Sequence, residues 1–182
     1  MKSEIYRQLY DFEMAQRDHL IAAVNIPIIA ITALGSALVA MALGFPYSRS
    51  IATALFVSCS ATAAVALLVA IANAFRSILG YEYARTTSPK TWQKYYDSLL
   101  DLYAGRADQH QLADSAFERA FNQRLSEATD VNKGNNRLRG HRIILANLST
   151  VIALSLLAVA GVSYVIASAA HKEHVYEVRI VR

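Results

Sequence analysis

The sequence has very little cysteine, and long parts of it carry no charge. Its 182 residues include one cysteine, Cys59, which excludes an intramolecular disulfide and a metal site built from several cysteines. Asp, Glu, Lys and Arg are all absent from residues 20–48, 50–75 and 143–170. Such long uncharged runs, together with a mean hydropathy of +0.26, argue against an ordinary soluble domain.

Each charge-free run is long enough to cross a lipid bilayer as a helix. A hydrocarbon core of roughly 30 Å needs about 20 helical residues. The runs lack the alternation of barrel strands, and in lipid only a helix or a closed barrel satisfies its own backbone. The sequence therefore predicts an all-α integral membrane protein with three transmembrane helices. Two of them form a hairpin over residues 20–75, and the third spans residues 143–170. The alternative is a buried helical core in a soluble protein.

The remaining segments are more polar. Residues 1–19 predict an amphipathic helix that runs on into the first apolar helix and carries Ile5, Leu9 and Phe12 on one side. Residues 76–142 predict a helical pair inserted between the second and third transmembrane helices. Its first helix begins at Ser88-Pro89, and its second follows a stop at Gly105. In the tail, residues 171–182, the alternation over 175–181 favours a strand.

Small and polar residues recur within the apolar runs. Such residues at a spacing of four let helices approach closely in lipid. The simplest interpretation is packing between the two hairpin helices, and the alternative is a seam between subunits or the lining of a pore. The candidates for the seam or pore are Thr32, Ser36, Ser58, Thr62, Asn147 and Thr150.

The distribution of Lys and Arg predicts an orientation. The N-terminal segment has three and residues 76–142 have eleven, which gives fourteen on one side of the membrane. The hairpin turn has one and the tail has three, which gives four on the other side. Cytoplasmic segments carry the excess of Lys and Arg. We therefore expect the N-terminus and the insert in the cytoplasm and the C-terminus outside.

Residues 132–142, NKGNNRLRGHR, form a basic stretch directly before the third apolar run, and no acid occurs between Asp130 and Glu173. The stretch anchors the transmembrane helix and suits anionic lipid headgroups. The alternative is a nucleotide or oligonucleotide ligand, whose phosphates would be held by Arg forks and Asn amides. The candidate phosphate ligands are Lys133, Arg137, Arg139 and Arg142.

Three aromatic residues of the insert are a second candidate ligand surface. Trp92, Tyr95 and Tyr96 are interleaved with lysines and could stack nucleobases. Their helical spacing favours hydrophobic packing instead.

Catalytic signatures are missing from the sequence. It has no Walker loop, no G-x-S-x-G and no H-E-x-x-H motif, so we expect neither an enzyme nor a cofactor. His171 and His174 are three residues apart and could share a metal, but a solvated tail is the simpler interpretation, and we expect no metal site.

Three features of the sequence occur in a recognisable order. They are an aromatic helix that leads into a tight helical hairpin, an insert with the sequence SPKTWQKYY, and the sequence NKGNNRLR before the last apolar run. In architecture the chain resembles the small multi-span membrane effectors of bacterial antiphage systems that accompany nucleotidyltransferase-type partners. The resemblance implies a homo-oligomer that stays closed until a nucleotide second messenger or a protein signal arrives, and then permeabilises the inner membrane. The alternatives are a non-conducting membrane scaffold that recruits a cytoplasmic partner, and a holin-like protein.

Overall fold

The computed structural model describes the backbone of residues 2–180 and the side chains of residues 4–171. Every regular element in this range is an α-helix. The elements are α1 (Lys2–Ala23), α2 (Asn25–Gly44), α3 (Ile51–Ile78), α4 (Pro89–Leu102) and α5 (Gln109–Ile180).

The first two helices follow one another with a single residue between them, and together they form the long N-terminal helix that the sequence predicts. Val24, the residue between them, keeps right-handed helical dihedrals, with φ −67° and ψ −24°. The interruption lies where Pro27 has no N–H to offer the preceding turn. After Gly44 the chain turns, and Ser50 begins α3 by accepting a hydrogen bond from the backbone N–H of Thr53. The predicted hairpin of α2 and α3 is therefore present.

Two boundaries differ from the prediction. The helix α3 runs past the predicted bound at residue 75 and ends at Ile78, because Leu79 is extended and Gly80 takes a φ of +86°, a left-handed conformation that suits glycine. The predicted insert is not a separate helical pair followed by a third transmembrane helix. Its second helix is the first part of α5, which runs without interruption for 72 residues. Counting α1 and α2 as one, the described chain has four helices.

The predicted strand over residues 175–181 is wrong, since α5 stays helical through Ile180; residue 181 lies outside the described range. A lone strand leaves its backbone groups without partners, whereas a helix that is already nucleated adds one hydrogen bond for each residue.

Three helices are long and apolar enough to cross a membrane. They are Glu4–Gly44, Ile51–Ile78 and Gln109–His171, and the apolar window of each has a mean hydropathy of 2.3. This finding agrees with a transmembrane protein.

The chain forms two compact units. Unit 1 comprises Met1–Ile21 and Gly80–Leu138, and unit 2 comprises Ala22–Leu79 and Arg139–Arg182. In unit 2, one apolar cluster joins Ile31, Leu67, Ala70 and Ala153. A second cluster contains Phe45 and Phe56, whose rings stack at a centroid distance of 3.9 Å, together with Ala160 and Ala167. Small residues at the contacts let these helices pack closely.

Candidate functional site

Two arginines of the basic stretch form hydrogen bonds within unit 2. Arg139 is buried, with 4% of its surface exposed, and its Nε donates to the carbonyl oxygen of Ser77 at 2.7 Å. Its Nη2 lies 3.5 Å from the carbonyl oxygen of Ile78. Arg142 donates from Nη1 to Asn73 Oδ1 at 3.3 Å. The last carbonyls of a helix lack intrahelical partners, and a cation there also complements the helix dipole. Arg139 therefore caps α3.

The asparagines of the same stretch hold the irregular segment of residues 80–88 in unit 1. Asn132 accepts from the backbone N–H of Ala84 at 2.9 Å and donates to the carbonyl of the same residue at 3.1 Å. Asn135 donates to the carbonyl of Glu82 at 2.7 Å. The side-chain amide of Asn132 thus satisfies both the backbone N–H and the backbone carbonyl of one residue. These amides serve the fold rather than a phosphate.

Asn136 is the centre of a buried polar cluster in unit 1. Its Nδ2 donates to both the carbonyl oxygen and Oε2 of Glu13, at 2.8 Å each. Its Oδ1 accepts from the hydroxyl of Tyr83 at 2.7 Å. Glu13 itself is only 7% exposed. The cluster joins α1, the irregular segment and α5 through polar groups that apolar periodicity does not reveal.

Two of the four predicted phosphate ligands remain on the surface of unit 1. Lys133 and Arg137 are both exposed, one helical turn apart on α5. An external phosphate, from a lipid headgroup or a free ligand, can therefore meet these two side chains. A test of phosphate binding has to use Lys133 and Arg137, because Arg139 has a structural role.

The aromatic residues of α4 pack against the start of α5. The ring of Trp92 meets Phe117 and Phe121 edge to face, with centroid distances of 5.6 and 5.2 Å. The ring of Tyr95 lies 6.0 Å from that of Trp92. Such pairs stabilise a helix contact by about 0.5–1.5 kcal/mol beyond burial. The favoured interpretation of these residues as packing residues agrees with this geometry.

Tyr96 joins the same contact through a polar group. Its hydroxyl donates to Asp114 Oδ1 at 2.8 Å, and its ring lies 5.6 Å from that of Phe117. The hydrogen bond to the carboxyl of Asp114 raises the pKa of the Tyr96 phenol, with smaller contributions from burial and from the charge of that carboxyl. The phenol therefore stays protonated to a higher pH than usual, and the contact keeps its donor.

A cavity of about 620 Å³ opens beside this aromatic cluster in unit 1. Its volume lies in the range of small-molecule sites. The lining residues are Arg7, Thr86, Thr87, Pro89, Trp92, Asp114, Phe117, Glu118 and Phe121. Sequence reasoning missed Arg7 and Glu118. For Glu118 the sequence did hold a signal, because a spacing of four places Asp114 beside Glu118, and Phe117 beside Phe121, on one side of α5.

The predicted seam residues mostly lie on outer surfaces. Thr32, Ser36, Ser58, Thr62 and Asn147 are exposed, whereas Thr150 is buried. The described hydroxyls donate to carbonyl oxygens of their own helices, for example Thr32 to Ile28 at 2.9 Å and Thr62 to Ser58 at 2.8 Å. Thr32 lines a cavity together with Ile71, Ala74 and Phe75 of α3, beside the cluster that contains Ile31. The interpretation of the seam residues as packing residues between α2 and α3 stays a prediction.

The chain matches no protein-family model, no curated protein and no solved structure. Within the described residues, no group of three or more His, Cys, Asp or Glu side chains is arranged to hold a metal ion. The side chain of His174 lies outside the described range.

Proposed function

We propose that the protein is an oligomeric pore-forming or membrane-disrupting effector of the bacterial inner membrane. In this proposal its polar helical part lies in the cytoplasm and receives a nucleotide or protein signal, in keeping with the resemblance to antiphage effectors. The signal opens the assembly only if it binds the open state better than the closed state. Three helices of sufficient length and hydropathy support the location in a membrane.

The observation that carries the proposal is the outward position of small residues on α2 and α3. Ser36 and Ala40 are exposed on α2, on the side opposite to the buried Ile31 and Pro27. Thr32 is exposed at the edge of this surface, where it lines a cavity with residues of α3. On α3, Ala54, Ser58 and Ala61 are exposed in the same way, opposite to its buried side. Small residues at helical spacing favour close helix contact in lipid. Since the protomer does not use these surfaces, a neighbouring copy is their natural partner.

The polar groups on these surfaces suit a gated rather than a permanently open pore. The hydroxyls of Thr32, Ser36, Ser58 and Thr62 each donate to a carbonyl of their own helix, as in Ser36 to Thr32 at 2.9 Å. Such groups tolerate lipid or a neighbouring helix, and they offer water only weak hydrogen bonding. A narrow passage lined by them can close by losing its water.

Reconstitution into liposomes tests the proposal directly. The purified chain is expected to form a defined oligomer by light scattering, and to release an entrapped dye when a candidate nucleotide or partner protein is added. The control is the same protein without a signal. An oligomer that releases no dye with any signal would favour the membrane scaffold, and a monomer that releases none would contradict both oligomerisation and pore formation.

Bulky residues on the outward surface of α2 are expected to weaken the assembly. In Thr32→Leu/Ser36→Leu the helices of two copies can no longer approach closely, so we expect association about tenfold weaker, a loss of about 1.4 kcal/mol, and correspondingly less dye release. The matched control, Thr32→Ala/Ser36→Ala, keeps the side chains small and should assemble as the wild type does. Equal behaviour of the two variants would show that this surface is not an interface.

The proposed orientation has its own test. A reporter that is active only outside the cytoplasm is expected to be active when fused after Arg182, and silent when fused after residue 105, within the 76–142 segment. The reason is that the segments placed in the cytoplasm hold fourteen Lys and Arg residues and the segments placed outside hold four. Cytoplasmic segments carry the excess of these residues. The reverse result would overturn the orientation while leaving the helices unchanged.

Anionic lipid is a further proposed partner. Lys133 and Arg137 form an exposed basic pair on α5, and exposed cations close to a membrane attract anionic headgroups by about 1 kcal/mol each.

A further inference from the structure

The part of α1 that belongs to unit 1 contacts the rest of that unit through charged residues. Glu13 is buried, and its carboxylate accepts a hydrogen bond from Asn136 of α5 at 2.8 Å. The guanidinium carbon of Arg7 lies 5.9 Å from the centroid of the Phe121 ring, which is also on α5. An amphipathic helix at the surface of a protein ordinarily turns its apolar side to the core and its charged side to solvent. The arrangement of α1 is the reverse.

The apolar side of α1 is left exposed. Ile5 is 50% exposed, Leu9 is 49% exposed and Phe12 is 62% exposed. Because these residues are four and three positions apart, their side chains form one row along the helix, which we name the α1 stripe. Single exposed apolar residues are common on protein surfaces, whereas a contiguous row of large ones marks a contact with something else.

The spacing of the α1 stripe suits a second, parallel helix. Alternating steps of four and three residues keep side chains on the seam between two helices that pack side by side. The same alternation continues with the polar residues Gln16 and His19, so none of the five positions carries Asp, Glu, Lys or Arg. The acids Glu4, Asp11 and Asp18 repeat every seven residues on a different side of the helix. Two identical copies can therefore meet at this stripe without like-charge repulsion.

The small size of the α1 stripe favours a second copy over an unrelated protein. A stable complex of two separate proteins buries roughly 800 Å² on each partner, from about 20–30 residues, which three side chains do not supply. A copy that is already held alongside in the membrane needs less area, because its contact is effectively intramolecular. The stripe lies on the long helix Glu4–Gly44, and the same helix carries the outward α2 surface of the proposed oligomer. Neighbouring copies in that oligomer therefore bring their stripes within reach of one another.

We propose that the α1 stripes of neighbouring copies pack against each other as a parallel bundle of helices. Ile5, Leu9 and Phe12 form its apolar seam, and the polar residues Gln16 and His19 restrict its register. This inference rests on the proposed oligomer, and it names a second contact between copies, formed by unit 1, that the small residues of α2 and α3 do not provide.

Cysteine cross-linking of the full-length protein in liposomes tests this contact. The single cysteine is first replaced by Cys59→Ser, so that only an introduced thiol can react. In this background Leu9→Cys is expected to give a disulfide-linked dimer on mild oxidation, because seam positions of parallel helices come within the Cα distance of about 7 Å that a disulfide spans. The matched control is Asp11→Cys, exposed on a different side of α1, which is expected to remain unlinked.

A second pair of variants measures what the α1 stripe contributes to assembly. Leu9→Ser/Phe12→Ser removes most of the seam and is expected to weaken association about tenfold. The control Asp11→Ser/Ala15→Ser changes two exposed residues outside the stripe and should assemble as the wild type does. Because Leu9 and Phe12 are exposed in the protomer, their replacement should leave the helices intact, which circular dichroism checks.

The outcomes separate this inference from the proposed function. A linked oligomer that releases no dye supports the stripe contact and contradicts the pore. An oligomer by light scattering in which Leu9→Cys does not link overturns the stripe contact and leaves the pore untouched. Equal linking at positions 9 and 11 also overturns it, as does an unlinked thiol at position 9 that a water-soluble maleimide cannot reach, since lipid or another protein then covers the stripe. A monomer in which neither thiol links contradicts both proposals.

Discussion

Arg139→Ala is expected to lower the free energy of unfolding by about 2–4 kcal/mol. The substitution removes a charge-assisted hydrogen bond of 2.7 Å to the carbonyl of Ser77 and leaves that buried carbonyl without its donor. A hydrogen bond to a charged group contributes about 1.5–3 kcal/mol, and a buried acceptor left without a partner costs about 1–3 kcal/mol. The N–H of Leu79, which donates to the carbonyl of Phe75, also closes the end of α3.

Thermal unfolding of the variant in detergent, followed by circular dichroism, measures the effect. Arg137→Ala is the matched control, because it removes the same side chain two residues earlier on an exposed part of α5. It is expected to change the stability by no more than about 0.5 kcal/mol. Similar losses in the two variants would mean that Arg139 does not act as the cap.

The second large effect is expected in the polar cluster of unit 1. Asn136→Ala removes two hydrogen bonds to Glu13 and one from Tyr83, each between 2.7 and 2.8 Å. Because Asn136 is 2% exposed and Glu13 is 7% exposed, water cannot readily replace the amide. We expect a loss of about 3 kcal/mol, most of which comes from the buried carboxyl that loses its donor.

A double-mutant cycle separates this cause from simple loss of packing. Glu13→Gln in the Asn136→Ala background is expected to recover about 1 kcal/mol, since the neutral amide is less costly to bury. Asn135→Ala serves as the control, because Asn135 makes a single described hydrogen bond, to the carbonyl of Glu82, and should lose about 1 kcal/mol. Additive effects at Glu13 and Asn136 would contradict their coupling.

The helices were largely predictable, because their signals are local. Ser88 accepts from the N–H of Thr91 at the start of α4, with Pro89 in the first turn, as the Ser-Pro pair predicts. The charge-free runs predict three long apolar helices, and the structure has them. Gly105 adopts a positive φ of 83° after α4, the conformation expected of a glycine beyond a helix end.

The continuity of α5 was harder to predict. Gly134 and Gly140 each disfavour a helix by about 1 kcal/mol, so the sequence suggests a bend in this region. The helix persists because contacts before and after these glycines hold it, made by Asn132, Asn136, Arg139 and Arg142. Those contacts join segments about 50–120 residues apart in the chain, and local periodicity carries no information about such pairs.

The candidate sites were likewise predictable where the signal is local and not predictable where it depends on distant partners. Helical spacing favoured packing for Trp92 and Tyr96, because aromatic residues at that spacing share one side of α4. The basic stretch gave no sign that Arg139 points inward while Arg137 stays exposed. Side chains of one type differ here only through their partners on other helices, and a single sequence does not identify those partners. The cavity beside Arg7 is likewise assembled from three distant segments.

The two units alternate along the sequence, since residues 1–21 fold with 80–138 and residues 22–79 fold with 139–182. Neither unit is contiguous, so no single cut in the chain releases either of them intact. During synthesis, neither unit is complete until part of α5 has been made. The polar unit also cannot be transferred to another protein as one gene segment; it would need a new linker from residue 21 to residue 80.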